Sequence, residues 1–231
     1  MTARYAIYFA PPSGSPWWQF GAHWVGRDEC KDLALPQPAL DQLSPDVLHK
    51  ITDHPRRYGF HGTLKAPFGL VAGCTPAQLQ DRLHALARTL QPVALGPLQA
   101  TILGDFVALV PTHASEALAA LAATCVRDVD DLRRPMDADD LARRQPDKLD
   151  ARGLELLQQF GYPHVLERFN FHFSLTGPVT APHAQAVVQA VQDRVAQLNA
   201  AAPWVLDRLC LFVESGKGQP FTRMADVELR A

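Results

Sequence analysis

The sequence has little of what would tie it to a metal, a membrane or a nucleotide cofactor. Its four cysteines, Cys30, Cys74, Cys125 and Cys210, are scattered singly with no Cys-x-x-Cys pair. Neither a zinc finger nor a disulfide framework can be built from that spacing, so ordinary thiols in a reducing compartment are expected. None of the nine histidines stands in a His-x-x-x-His or His-Glu-x-x-His pair, and no metal is expected. Gly14, Gly216 and Gly218 fit neither a dinucleotide-binding nor a P-loop pattern, so no cofactor is expected either. No apolar run approaches the roughly 20 residues that span a bilayer, and the first apolar stretch is too short for a secretory signal. A cytoplasmic protein without membrane contact is therefore expected. The formal charge of -2 leaves no basic field for a long nucleic acid. A small phosphate needs only local cations.

What is present is a chain of 231 residues, 47% hydrophobic, enough for one large domain or two small lobes sharing a core. Apolar runs predict strands over 4–10, 56–68, 97–103, 106–111, 170–179, 205–214 and 222–229. Gly104-Asp105 separates two of them as a hairpin. Helical spacing predicts helices over 37–50, 75–90, 114–126 and 182–198, with Thr75-Pro76 as an N-cap and first-turn pair. Residues 128–152 alternate charges of both signs and read first as a solvated helical excursion laced with ion pairs. The other reading is a cap that supplies an arginine such as Arg143 or Arg144 to a site. Hairpins mixed with helices argue for an α+β fold.

The chemistry lies in an internal repeat. Phe60-His61-Gly62-Thr63-Leu64-Lys65-Ala66-Pro67 matches Phe171-His172-Phe173-Ser174-Leu175-Thr176-Gly177-Pro178, both reading Phe-His-x-hydroxyl-Leu-x-small-Pro. The two histidines lie 111 residues apart, near half the chain, as a duplicated lobe would place them. Strand alternation puts Phe60, Leu64 and Ala66 on one face, and His61, Thr63 and Lys65 on the other. The second copy likewise sets Phe171, Phe173 and Leu175 against His172, Ser174 and Thr176. Histidine titrates nearest neutral pH, so a pair can hold opposite protonation states, one as base and one as acid. The Thr63 and Ser174 hydroxyls can hold phosphoryl oxygens between the rings. Such a scheme cleaves a P–O bond without metal.

The motifs His61-Gly62-Thr63 and His172-Phe173-Ser174 resemble the paired His-x-Thr/Ser motifs of the 2H phosphoesterase superfamily. The longer segment Arg57–Phe68, with Phe169-Asn170-Phe171-His172, Arg4-Tyr5-Ala6-Ile7-Tyr8 and Gly161-Tyr162-Pro163, resembles its DUF1045 branch. That resemblance implies two pseudo-symmetric lobes, centred on 57–112 and 168–214 within one bilobal domain, with antiparallel sheets lining a cleft and helices outside. It implies a phosphoric diester hydrolase, and, from the genes such proteins accompany, a place in phosphonate metabolism. A small sugar or nucleotide cyclic phosphate, or a short RNA end, would be its partner.

Lys65, Arg57 and Lys217 are further candidates to steady a phosphate, against surface cations as the plain reading. Tyr5 and Tyr8 cannot both face a cleft. Trp17, Trp18 and Trp24 either stack on a substrate ring or fill the core. The competing functions are a non-catalytic phosphate- or nucleotide-binding module and a metal-dependent hydrolase.

Overall fold

The structure is a computed structural model that describes residues 3–201 and 204–230. It is α+β, built around one antiparallel sheet of seven strands: β1 (Arg4–Phe9), β2 (Gly62–Phe68), β3 (Leu98–Leu103), β4 (Phe106–Pro111), β5 (Phe173–Ser174), β6 (Arg208–Glu214) and β7 (Phe221–Glu228). Their spatial order is β7-β6-β1-β2-β5-β4-β3. The two motif strands, β2 and β5, are therefore neighbours at the middle of the sheet. They join at a single residue pair, Gly62 opposite Phe173. A Cβ at Gly62 would lie 2.5 Å from the Phe171 ring, so only glycine lets the two copies close.

The helices α1 (Pro16–Val25), α2 (Pro45–Ile51), α3 (Asp53–Tyr58), α4 (Pro76–Ala87), α5 (Glu116–Arg127), α6 (Ala138–Arg143), α7 (Ala151–Phe160) and α8 (Ala181–Ala201) complete the fold. The helix after each motif strand packs on its own half of the sheet: α4 on β6 and β7, α8 on β3 and β4. Thr75 and Gln78 form a reciprocal capping box on α4. Along α8, Ala184, Val187, Val191, Val195 and Leu198 make the buried stripe that a 3.6-residue period requires. Between the layers Phe60, Phe173 and Trp204 pack as a ring cluster, Phe60 and Phe173 centroids lying 5.1 Å apart. These two phenylalanines are the apolar reverse faces of the two motifs. The three tryptophans of α1, Trp17, Trp18 and Trp24, are all buried; the core-filling reading is the correct one.

Four expected elements differ. Residues 56–58 end a helix, not a strand, and β2 begins only at Gly62. Arg56 explains this, because its guanidinium bonds Val25 and His49 carbonyls and the Thr52 hydroxyl, contacts that need the helical turn. The helix expected over 37–50 starts at Pro45, behind a Ser44 cap; Pro36 and Pro38 deny the earlier turns. The second motif strand is two residues long. Residues 128–152 break into α6 and two 3-10 turns, Asp130–Leu132 and Pro146–Lys148. Ion pairs do lace that segment, Arg134 to Asp140 at 2.7 Å among them.

Candidate active site

A cleft of about 920 Å³ opens over the centre of the sheet, and His61, Thr63, His172 and Ser174 all line it. The two histidines are held alike. His61 Nδ1 lies 2.9 Å from the Gly59 carbonyl, and His172 Nδ1 lies 2.8 Å from that of Asn170. A carbonyl only accepts, so Nδ1–H donates in each neutral ring and Nε2 is left as the free lone pair. Gly59 serves this geometry with a φ of 76° and with Glu29 pressed against its Cα, a place closed to a side chain. The Thr63 hydroxyl stands 3.3 Å from His61 Nε2. Tyr8 stacks on the His61 ring at 3.8 Å, and Phe106 leans on His172 at 5.5 Å.

Burial pushes the His61 pKa down to about 4, with repulsion from His172 and His54 added and the Gly59 bond opposing. Burial also lowers His172, against its Asn170 bond. Both rings are therefore neutral in the empty cleft at pH 7, each presenting a basic nitrogen. Both rings belong to the lining of the same cleft.

Lys65 is not in the cleft, which corrects the expectation from strand alternation. The pairing of β1 with β2 slips between Tyr8 opposite Thr63 and Ile7 opposite Lys65, a bulge that places Leu64 as the extra residue. Lys65 is thereby turned to the helix side, 3% exposed, where its ammonium bonds the Val126 carbonyl and Asp130, each at 2.9 Å. Ala66 turns the other way and lines the cleft rather than the core face. The second copy behaves likewise. Leu175 and Thr176 both donate their N–H to the Val107 carbonyl, and the Thr176 side chain, 1% exposed, accepts from the Val107 N–H.

The other two expected cations do line the cleft. Arg57 is half-buried and pairs with Glu214. Lys217 lies on the rim and pairs with Asp139 at 2.7 Å, tying the Gly-rich turn to α6. The charged segment also delivers Arg143 and Arg144 to the wall, so the ion-pair-laced and the arginine-supplying readings both hold. Among the described residues, no aspartate or glutamate lines the cleft. Among the described residues, no group of three His, Cys, Asp or Glu side chains is placed to hold a metal ion. No described helix is long and apolar enough to cross a membrane.

The sequence reasoning passed over Arg4, Tyr58 and Tyr162 as cleft residues. They carry no spacing signal of their own. The available sign was that Arg4 and Tyr162 fall in the two outlying segments that resemble the family yet belong to neither motif.

A family model described as "Protein of unknown function (DUF1045)" matches residues 63–222. The chain belongs to the DUF1045 family. Two curated relatives carry the name ribose 1,5-bisphosphate phosphokinase PhnN, one from Janthinobacterium sp. (strain Marseille) and one from Laribacter hongkongensis (strain HLHK9). They are 34% and 33% identical across 94% of this chain, which covers 49% and 50% of their lengths. This DUF1045 chain thus spans about half the length of the curated relatives it matches. Among solved structures, E. coli LigT complexed with 3′-AMP aligns over 100% of this chain and 99% of its own, at 14% identity and a TM-score of 0.47. A structure described as a phosphoesterase aligns over all of both chains at 14% identity and a TM-score of 0.44. Superpositions this loose transfer no residue roles.

Proposed function

We propose that this protein is a metal-independent phosphodiesterase that hydrolyses a small cyclic or linear phosphodiester of a sugar or nucleotide by two-histidine acid–base catalysis. The observation that carries the reading is the matched pair itself. His61 and His172 immediately precede adjacent strands, each with Nδ1 committed to a carbonyl two residues upstream and Nε2 left for one shared cleft. In the reaction one Nε2 takes a proton from water, and the water oxygen attacks phosphorus. The P–O ester bond opposite breaks, and the departing oxygen takes a proton from the other imidazolium. Each proton transfer contributes on the order of 10²–10⁴-fold. Thr63 and Ser174 hold the non-bridging oxygens, and the basic wall attracts the anion. We read the two halves of the sheet as the two lobes of one bilobal domain.

The relatives' name supports a ribose phosphate as the substrate scaffold, because this chain matches half of a polypeptide named for one. A place in phosphonate metabolism, which the family resemblance implies, is part of the same proposal.

The test is turnover of 2′,3′-cyclic nucleotides and sugar 1,2-cyclic phosphates in EDTA, with wild type, His61→Ala and His172→Ala. Activity that resists the chelator and falls at least about 10²-fold in each variant is expected. Full activity in both variants overturns the reading. Chelator-sensitive turnover replaces it with a metal-dependent hydrolase.

A further inference from the structure

The cleft wall carries more positive charge than one phosphodiester needs. Arg144 follows α6, where the chain turns through Gln145 at a φ of 48°. Its guanidinium sits 4.7 Å from the Tyr162 ring centroid and makes one bond, to the Pro67 carbonyl at 3.3 Å. It shares the cleft wall with Arg4 and the Tyr162, Tyr58 and Tyr8 rings. Its sequence neighbour Arg143 is instead paired with Asp140. Arg4 and Arg57 share a single counter-ion, the buried carboxylate of Glu214, which Arg4 Nε reaches at 2.5 Å. Glu214 also accepts the Gly218 N–H at 3.0 Å, so both its oxygens are engaged. Burial alone would raise the Glu214 pKa, but Arg4 holds it below its ordinary value, so the carboxylate is ionised.

We propose that Arg144, Arg4 and Arg57 form a second anion subsite that binds a phosphomonoester carried by the substrate, apart from the phosphorus held between the histidines. Three guanidinium charges stand against one carboxylate, Asp140 nearby being taken by Arg134 and Arg143, which leaves an excess of two positive charges. A phosphomonoester carries about −1.5 to −2 charge at pH 7 and matches that excess, whereas a phosphodiester carries only one. Arginine forks suit its oxygens, and partial burial strengthens each bond.

Tyr8 and Phe221 separate the two places. The Tyr8 ring covers His61 and neighbours Phe221, over which the Arg4 guanidinium sits at 5.7 Å. Arg4 and Arg144 also line a small recess beside Pro67 and Gly161 whose lining includes neither histidine. That is about where the far end of a small sugar phosphate would reach. The substrate class is then a compact phosphodiester with a terminal phosphomonoester.

The subsite rests on the preceding section only for which phosphate is cleaved. Its test compares kcat/KM for a nucleoside 2′,3′-cyclic phosphate with and without a 5′-phosphate, in wild type, Arg144→Gln and Arg144→Lys. Wild type should favour the 5′-phosphorylated substrate by about tenfold to a hundredfold. Arg144→Gln should remove most of that preference through KM, and Arg144→Lys, which keeps the charge and loses the fork, should fall between. In parallel, calorimetry of ribose 5-phosphate against ribose is run on the His61→Ala/His172→Ala double variant with and without Arg144→Gln. If neither nucleotide is turned over but ribose 5-phosphate binds and Arg144→Gln abolishes binding, the subsite stands and the hydrolase reading fails. No preference for the 5′-phosphate together with no binding, or binding indifferent to Arg144→Gln, overturns the subsite.

Discussion

Leu64 and Leu175 occupy the same position of the two motifs, and regular strand pairing is broken at each. Leu64 has no partner between Thr63 opposite Tyr8 and Lys65 opposite Ile7. Leu175 shares the Val107 carbonyl with Thr176, two N–H groups on one acceptor. Both leucines are buried in the common core. The duplication thus preserved an irregularity as well as a sequence. Its effect is to turn the Lys65 and Thr176 side chains away from the cleft, while Leu64 and Ala66 still line it.

Lys65→Met is accordingly expected to be a stability variant. It removes a donor from Val126 and one of the two cations that hold Asp130, Arg133 being the other. Asp130 keeps Arg133 and is partly exposed, so the loss should be about 1–3 kcal/mol. Denaturant unfolding measures it. The phosphate-contact reading would instead predict a raised KM at unchanged midpoint, and that result would restore Lys65 to the site.

Gly62→Ala tests the seam between the halves. The new methyl would stand 2.5 Å from the Phe171 ring, and backbone pairing with Phe173 prevents retreat. Overpacking of this kind costs about 1–3 kcal/mol. Phe171→Leu in the same chain should recover part of the lost midpoint by vacating that space. No recovery would mean that the damage comes from the glycine backbone rather than from crowding.

Proton balance sets the pH dependence. Both histidines are lowered by burial, His61 to about 4. The base therefore stays unprotonated well below pH 6.5, while the acid holds its proton in a fraction that shrinks as pH rises. The kcat/KM profile, which reports the free enzyme, should peak on the acid side of 6.5. Bound phosphate favours the imidazolium, so the kcat profile should be displaced to higher pH. Steady-state kinetics between pH 4 and 9 reads both; a kcat/KM peak above pH 8 would contradict the burial of the pair.

The two hydroxyls differ in their bonds. Thr63 stands beside His61 Nε2, whereas Ser174 is half-buried on the cleft wall beyond His172. Loss of a phosphoryl-oxygen donor should cost on the order of 10²-fold in kcat for Thr63→Val and for Ser174→Ala. Thr63→Val should also displace the pH profile, since His61 loses a partner, and Ser174→Ala should not. Ser174→Thr should retain most activity. Equal rates in all three variants would remove the hydroxyls from the mechanism.

The sequence by itself determined the histidine–hydroxyl pairs, the α+β class, the hairpin at Gly104-Asp105 and the helices α4, α5 and α8, because each is a local pattern of period, cap or turn. It also showed that Phe60 and Phe171 would back the motifs, since alternation operates over a few residues. Tertiary structure decided the rest. Only the partner strands reveal the slip at Leu64 and the shared Val107 carbonyl beyond Ser174, and these go with Lys65 and Thr176 turned away from the cleft. Arg4, Arg144 and Tyr162 come from three remote segments, and no spacing in the chain relates them. Their chemistry depends on a shared low-dielectric wall and on one carboxylate serving two arginines. Such charge balance is a property of assembled neighbours, and it exists only once the chain has folded.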